Sequence, residues 1–142
     1  MSNGVIKMDS KVLNVLEFNK ILNDLANLTT SVLSRDMVLN LSPLTNITEI
    51  VQKQKETSEA VNMIIKKGNP PIGGLQDIRG AINRAQIGGI LSPKELLEIG
   101  HSLKIARNMK NYDAEDKNKD FYPNIKSLIA ELKECRELEK DI

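Results

Sequence analysis

Between Lys66 and Leu96 the chain reads KKGNPPIGGLQDIRGAINRAQIGGILSPKEL, and this stretch constrains the fold more than any other. Gly68, followed by Pro70-Pro71, closes one helix and forbids its resumption: glycine supplies a left-handed cap and proline lacks the backbone N–H. Asp77 opens a short helical segment that stops at Gly88-Gly89. Ser92-Pro93-Lys94-Glu95 starts the next, with a cap hydroxyl, a proline at the first helical position and a glutamate at the third. Such punctuation predicts capped helices joined by sharp corners.

The glycine pairs do not form a phosphate cradle. A P-loop requires G-x-x-x-x-G-K-[ST] after a strand, so that backbone N–H groups ring the phosphate and the lysine reaches it. Here Gly73-Gly74 runs into LQDIR and Gly88-Gly89 into ILSPKEL. The dinucleotide fingerprint G-x-G-x-x-G is missing as well. The glycines are read as corners between helices.

The remaining segments also follow the helical period. Leu13, Leu16, Ile21, Leu25 and Leu28 predict one amphipathic helix over LNVLEFNKILNDLANL. Thr29 to Ser31 supply caps for a second helix, VLSRDMVLNL, which Ser42-Pro43 stops. Asn46 caps a third, with Glu49 three residues on. Its expected stripe is Ile47, Ile50, Val51, Val61, Ile64 and Ile65. In the helix after Ser92 the expected buried residues are Leu96, Ile99, Leu103 and Ala106. A charged loop is expected over NYDAEDKNKD. Helix then resumes through FYPNIKSLIAELKECRELEKDI, with Ile125, Leu128, Ile129 and Leu132 on one face.

No period-two alternation persists, so the fold class is all-α: a helical layer or bundle. Its stripes are thin, as expected of a layer that packs against other parts of a larger chain. Residues 1–7 read as a flexible leader, 8–112 as a helical core portion, 113–120 as the charged loop and 121–142 as the start of a further helical segment. The ending EKDI carries no cap signal and reads as cut.

Composition narrows the function classes. Twenty basic and nineteen acidic residues leave a net charge of +1, without the basic excess of a free-standing nucleic-acid module. Aromatics make up 3%, too few for a base-stacking platform. Cys135 is alone and reads as a helical cysteine, and His101 is alone, which excludes a disulfide framework and a zinc cluster. No apolar run reaches the ~20 residues of a membrane span. The polar start lacks a signal peptide, and the chain reads as cytoplasmic with no membrane role.

No catalytic constellation stands out, and no cofactor or metal site is expected within these residues. Glu95 and Glu98 sit beside basic residues in surface patterns. Arg79 and Arg84 read as partners of carboxylates such as Asp77. Lys104, Arg107 and Lys110 recur every third residue, giving one helix a modest basic side. They are the candidate nucleic-acid contacts, and near-neutral charge predicts weak, salt-dependent binding.

The order of these features resembles the N-terminal core and lever region of the second bacterial MutS paralogue family. VLEF..IL at Val15 to Leu22, LSPLTNITEI at Leu41 to Ile50, and PPIGGLQDIRGAINRAQIGGILSPKELLEI at Pro70 to Ile99 carry the likeness, which runs from about Met8 to Ile142. The resemblance implies a much longer protein with a dimerising ABC-type ATPase, which uses ATP and magnesium, and a C-terminal Smr nuclease domain. It further implies branched-DNA binding, suppression of homologous recombination and rescue of collided ribosomes. This chain contains neither a Walker nor a nuclease motif. Pro70, Pro71, Gly73, Gly74, Asp77, Arg79, Arg84, Gly88 and Gly89 are then a structural corner motif. The alternative is a self-contained helical interaction module that meets a partner through Asn46 to Lys67.

Overall fold

The computed structural model describes residues 10–114 and 122–142. Over these it is all-α. The helices are α1 (Ser10–Val15), α2 (Phe18–Asn27), α3 (Val32–Leu39), α4 (Ile47–Lys67), α5 (Arg79–Gln86), α6 (Pro93–Ala114), α7 (Pro123–Ala130) and α8 (Arg136–Asp141). The leader expected over residues 1–7 lies outside the described residues. So does the charged loop from 115 onward, while residues 111–114 continue α6. Two compact units divide within α4, one ending at Gln54 and the other beginning at Lys55.

In the first unit the single helix expected over Leu13 to Leu28 is broken. Glu17 adopts the left-handed conformation, φ 52°, and separates α1 from α2. That costs an L-residue about 1–2 kcal/mol, and glutamate is a good helix former, so no local signal announces the break. α1 packs against α2 across the break. Leu22 and Ala26, one turn apart, are the buried residues of α2, where it packs on α3. The expected stripe is on the outside instead: Ile21 and Leu25 are exposed, and Leu28 is 78% exposed. The Ala26 carbonyl, in the last turn of α2 where helical donors run out, accepts from the Thr29 hydroxyl at 2.7 Å and the Arg35 guanidinium at 3.4 Å. Ser31 caps α3 as expected, its hydroxyl accepting from Ser34 N at 3.1 Å.

The second unit is organised around Met63 of α4, Tyr122 and Ile129 of α7, with Met109, Tyr112, Ile125 and Leu132 packed against them. Here too the expected α4 stripe is displaced. Val61 and Ile64 are exposed and Ile65 is 75% exposed, while Met63, not assigned to that stripe, is buried. On α6, Ile99 and Ile105 are buried, Leu103 and Ala106 are half-buried, and Leu96 is exposed. The last predicted helix is also two helices, with Cys135 an exposed N-terminal flanking residue of α8 rather than a helical one. Ile129 is buried and Ile125 and Leu132 half-buried, but Leu128 is exposed.

Polar contacts join distant elements of this unit. Glu59 of α4 caps α7: one carboxylate oxygen accepts from Asn124 N at 2.8 Å and Ile125 N at 3.1 Å, the other from Asn124 Nδ2 at 2.5 Å. The Tyr112 hydroxyl donates to Gly68 O at 2.8 Å. Lys67 donates to Tyr112 O and lies 4.4 Å from the centre of the Tyr112 ring, a cation–π contact.

Candidate functional site

The corner between α4 and α6 begins where Gly68 leaves the helix, donating to Ile64 O at 2.8 Å. Pro70-Pro71 prevents further helix, and the chain turns so that Ile72 N donates to Pro70 O at 2.9 Å. Gly73 O lies 3.3 Å from His101 Nε2 of α6. Gly74 has φ 77°, and a Cβ there would stand 3.0 Å from the same imidazole nitrogen. The backbone conformation favours glycine at this point, and a Cβ would also press on the imidazole.

Asp77 starts α5 as an anchored carboxylate. Oδ1 accepts from Arg79 N at 3.1 Å and Arg79 Nε at 2.8 Å, and Oδ2 accepts from Arg79 NH2 at 2.5 Å. The Arg79 side chain, then its backbone N–H, holds the Asp77 pKa down at about 2.

The far end of α5 is a Schellman turn. Gly88 N donates to Ala85 O and Gly89 N to Arg84 O, each at 2.9 Å. Gly88 takes φ 78°. A Cβ on Gly89 would lie 2.6 Å from Arg84 Cγ and 3.0 Å from Arg84 O, so the backbone and the arginine stem close over that glycine.

Glu95 ties this turn to α6. One carboxylate oxygen accepts from Ser92 N and Ser92 Oγ, both at 2.8 Å, while Glu95 N donates back to Ser92 Oγ at 3.3 Å. This is the expected capping box. The other oxygen pairs with Arg84 NH1 at 2.6 Å. The Ser92 backbone N–H, followed by its hydroxyl and by the charge of Arg84, lowers the Glu95 pKa.

Both corner carboxylates release their protons more readily folded than unfolded. Their stabilising contribution is therefore complete above the ordinary values of 3.8 and 4.5, and is lost as pH falls through the lowered ones. Asp77→Asn is expected to flatten the fall in melting temperature between about pH 5 and pH 2 relative to the parent chain. Thermal denaturation across that range measures it; an unchanged acid slope would remove Asp77 from the account.

Lys104, Arg107 and Lys110 do not form one open basic strip. Their spacing spreads them over roughly 120° of the α6 circumference. Lys104 is exposed and Lys110 half-buried. Arg107 is paired with Glu139 of α8, Nε to Oε2 at 3.0 Å and NH2 to Oε1 at 2.7 Å, which raises its pKa. A cleft of about 460 Å³ beside this pair is lined by Arg107, Asn111, Arg136, Glu139 and Lys140.

The structure thus brings Pro70 to Gly89, Ser92, Glu95 and His101 into one corner. His101 and Glu139 acquire roles that sequence reading missed. Their partners are 28 and 32 residues away, and no local pattern marks a contact at that range. Among the described residues, no cluster of His, Cys, Asp or Glu is arranged to hold a metal ion, and no helix is long and apolar enough to cross a membrane.

No protein-family model matches the chain. Individual relatives do. A protein of Acetivibrio thermocellus named Endonuclease MutS2 is 42% identical over 135 residues, 95% of this chain. Proteins of the same name from Alkaliphilus oremlandii and Bacillus cereus are 38% and 42% identical over 95% of the chain. In each case the match spans 17% of the relative's own length. With such identity along nearly its whole length, the chain belongs to the MutS2 family as a stretch homologous to about one sixth of these relatives.

Proposed function

We propose that the chain is the N-terminal structural and coupling part of a MutS2-type protein. In this reading its helices relay the nucleotide state of an ATPase elsewhere in the protein to the part that grips nucleic acid. The observation that carries the reading is the corner itself: three glycines in positive φ, a Schellman turn and a capping box cross-tied by Arg84 and Glu95. Such a corner holds two helices at one angle, as a lever requires. ATP and magnesium would be bound by other parts of the full protein, which would act as a cytoplasmic homodimer. Its targets would be branched DNA, in suppressing homologous recombination, or the ribosome, in rescue after collision.

Gly88→Val tests this role. A β-branched residue in positive φ costs about 1–2 kcal/mol or more and opens the corner. In the full-length protein the variant is expected to lose ATP-dependent modulation of DNA or ribosome binding, while the isolated ATPase domain is untouched. Retention of both coupling and thermal stability would refute the corner role.

A second reading, a helical module that docks a partner through α4, draws on a specific observation. Ile47, Val51, Val61, Ile64 and Ile65 are exposed along that helix, Ile47 by 71%. Sedimentation of the chain with and without candidate partners separates the readings, since a coupling element has no need of a separate partner on α4.

A further inference from the structure

The cleft between the C-terminal half of α6 and α8 has a lining that the coupling role does not use. Three cationic side chains, Arg107, Arg136 and Lys140, converge there with the Asn111 amide, against one carboxylate, Glu139. That carboxylate is already spent: both of its oxygens accept from Arg107. The pair fixes the guanidinium plane of Arg107 and leaves three of its five N–H donors unused. Arg136 gives only Nε to Glu134, at 2.7 Å, which leaves its terminal nitrogens available. Neither Lys140 nor the Asn111 side chain has a hydrogen-bond or ionic partner among the described residues. The balance stays positive even when Glu134 is counted.

We propose that this cleft is an anion site that binds a phosphate group through Arg107, Arg136, Lys140 and Asn111. A phosphate offers several acceptor oxygens and up to two negative charges to donors arriving from two helices. A carboxylate, with two oxygens and a single charge, would leave cations unmatched. Guanidinium groups held in plane are suited to bidentate recognition of phosphate oxygens. The Arg107–Glu139 pair acts as the floor that orients the site, and Arg136 and Lys140 are its exposed arms. The site does not depend on the corner or on the family reading.

Two sources carry this chemistry: a free phosphate-bearing small molecule, or the backbone of a nucleic acid. Binding of pyrophosphate by calorimetry, and of a short fluorescent single-stranded oligonucleotide by anisotropy over a salt series, distinguishes them. The variant is Arg136→Ala with Lys140→Ala, both exposed positions, so the fold is retained and circular dichroism verifies it. Lys53→Ala with Lys55→Ala is the charge-matched control on α4. The cleft pair is expected to weaken binding at least tenfold, and to lower the salt slope for the oligonucleotide by about 1.4, at ~0.7 per lost contact. The control pair is expected to change affinity less than twofold. Tight pyrophosphate binding with a weak oligonucleotide signal assigns the small molecule, and the reverse assigns the nucleic acid. Equal loss in both double variants, preference for an acidic peptide, or no binding of either probe overturns the site.

Discussion

Tyr122→Ala is expected to destabilise the second unit by about 3–5 kcal/mol, the range for truncating a buried aromatic to alanine. Tyr122 is 2% exposed, the most fully buried large side chain among the described residues, and it packs with Met63 and Ile129. Few large apolar side chains are buried in this unit, so each carries a large share of the whole. Domains of this size hold only about 5–15 kcal/mol in total. At roughly 4–8 °C per kcal/mol, the loss should appear as a collapse of the melting temperature, or as a chain unfolded at room temperature. Far-UV circular dichroism measures it. Tyr122→Phe keeps the ring and should retain most of the stability. If the alanine variant melted within a few degrees of the parent chain, this cluster would not be the core of the unit.

Glu59→Ala is expected to cost about 2–3 kcal/mol by a different route. The Glu59 carboxylate accepts three hydrogen bonds at the start of α7, two of them from backbone N–H groups with no partner inside the helix. Negative charge at a helix N-terminus also opposes the positive end of the helix dipole. Removal leaves half-buried donors unsatisfied, at a cost above the worth of one ordinary hydrogen bond. Glu59→Gln retains one acceptor oxygen and should recover part of the loss. Urea denaturation of the three chains gives the values, and equal midpoints for the alanine variant and the parent would show that α7 does not depend on α4.

Glu59 and Tyr122 also mark a limit on what could be read from the chain alone. Asn124 is 65 residues beyond Glu59, and nothing near either residue signals that they meet. Ser92-Pro93-Lys94-Glu95, by contrast, was legible as a helix start, and the hydrogen bonds found there are those its spacing implies. Gly88 was legible as a breaker of α5, and Gly68 as the close of α4. Such devices act within a few residues, so sequence spacing and structure carry the same information. Apolar stripes behaved otherwise. Period alone pointed to Ile21, Leu25 and Leu28, yet α2 buries Leu22 and Ala26. On α4 the buried side chain is Met63, beside an exposed run of isoleucine and valine.

The exposed stripes are consistent with a chain that spans 17% of its relatives' length, since a face of a helical layer can be apolar for the benefit of residues elsewhere in the protein. Arg107 shows the same limit for charge. Its spacing from Lys104 and Lys110 suggested an open basic side, but Glu139 on α8 claims it.

Residue order alone was enough to establish that the described residues are all-α, where helices start and stop at capped or glycine-proline boundaries, and to which family the chain belongs. Those properties rest on short-range backbone chemistry and on residue order. Tertiary structure alone decided the break at Glu17, the face each helix buries, the capping of α7 by Glu59, and the partners of His101 and Arg107. Each of those is set by the packing of whole helices, in most cases between groups far apart in the chain, and leaves no local pattern.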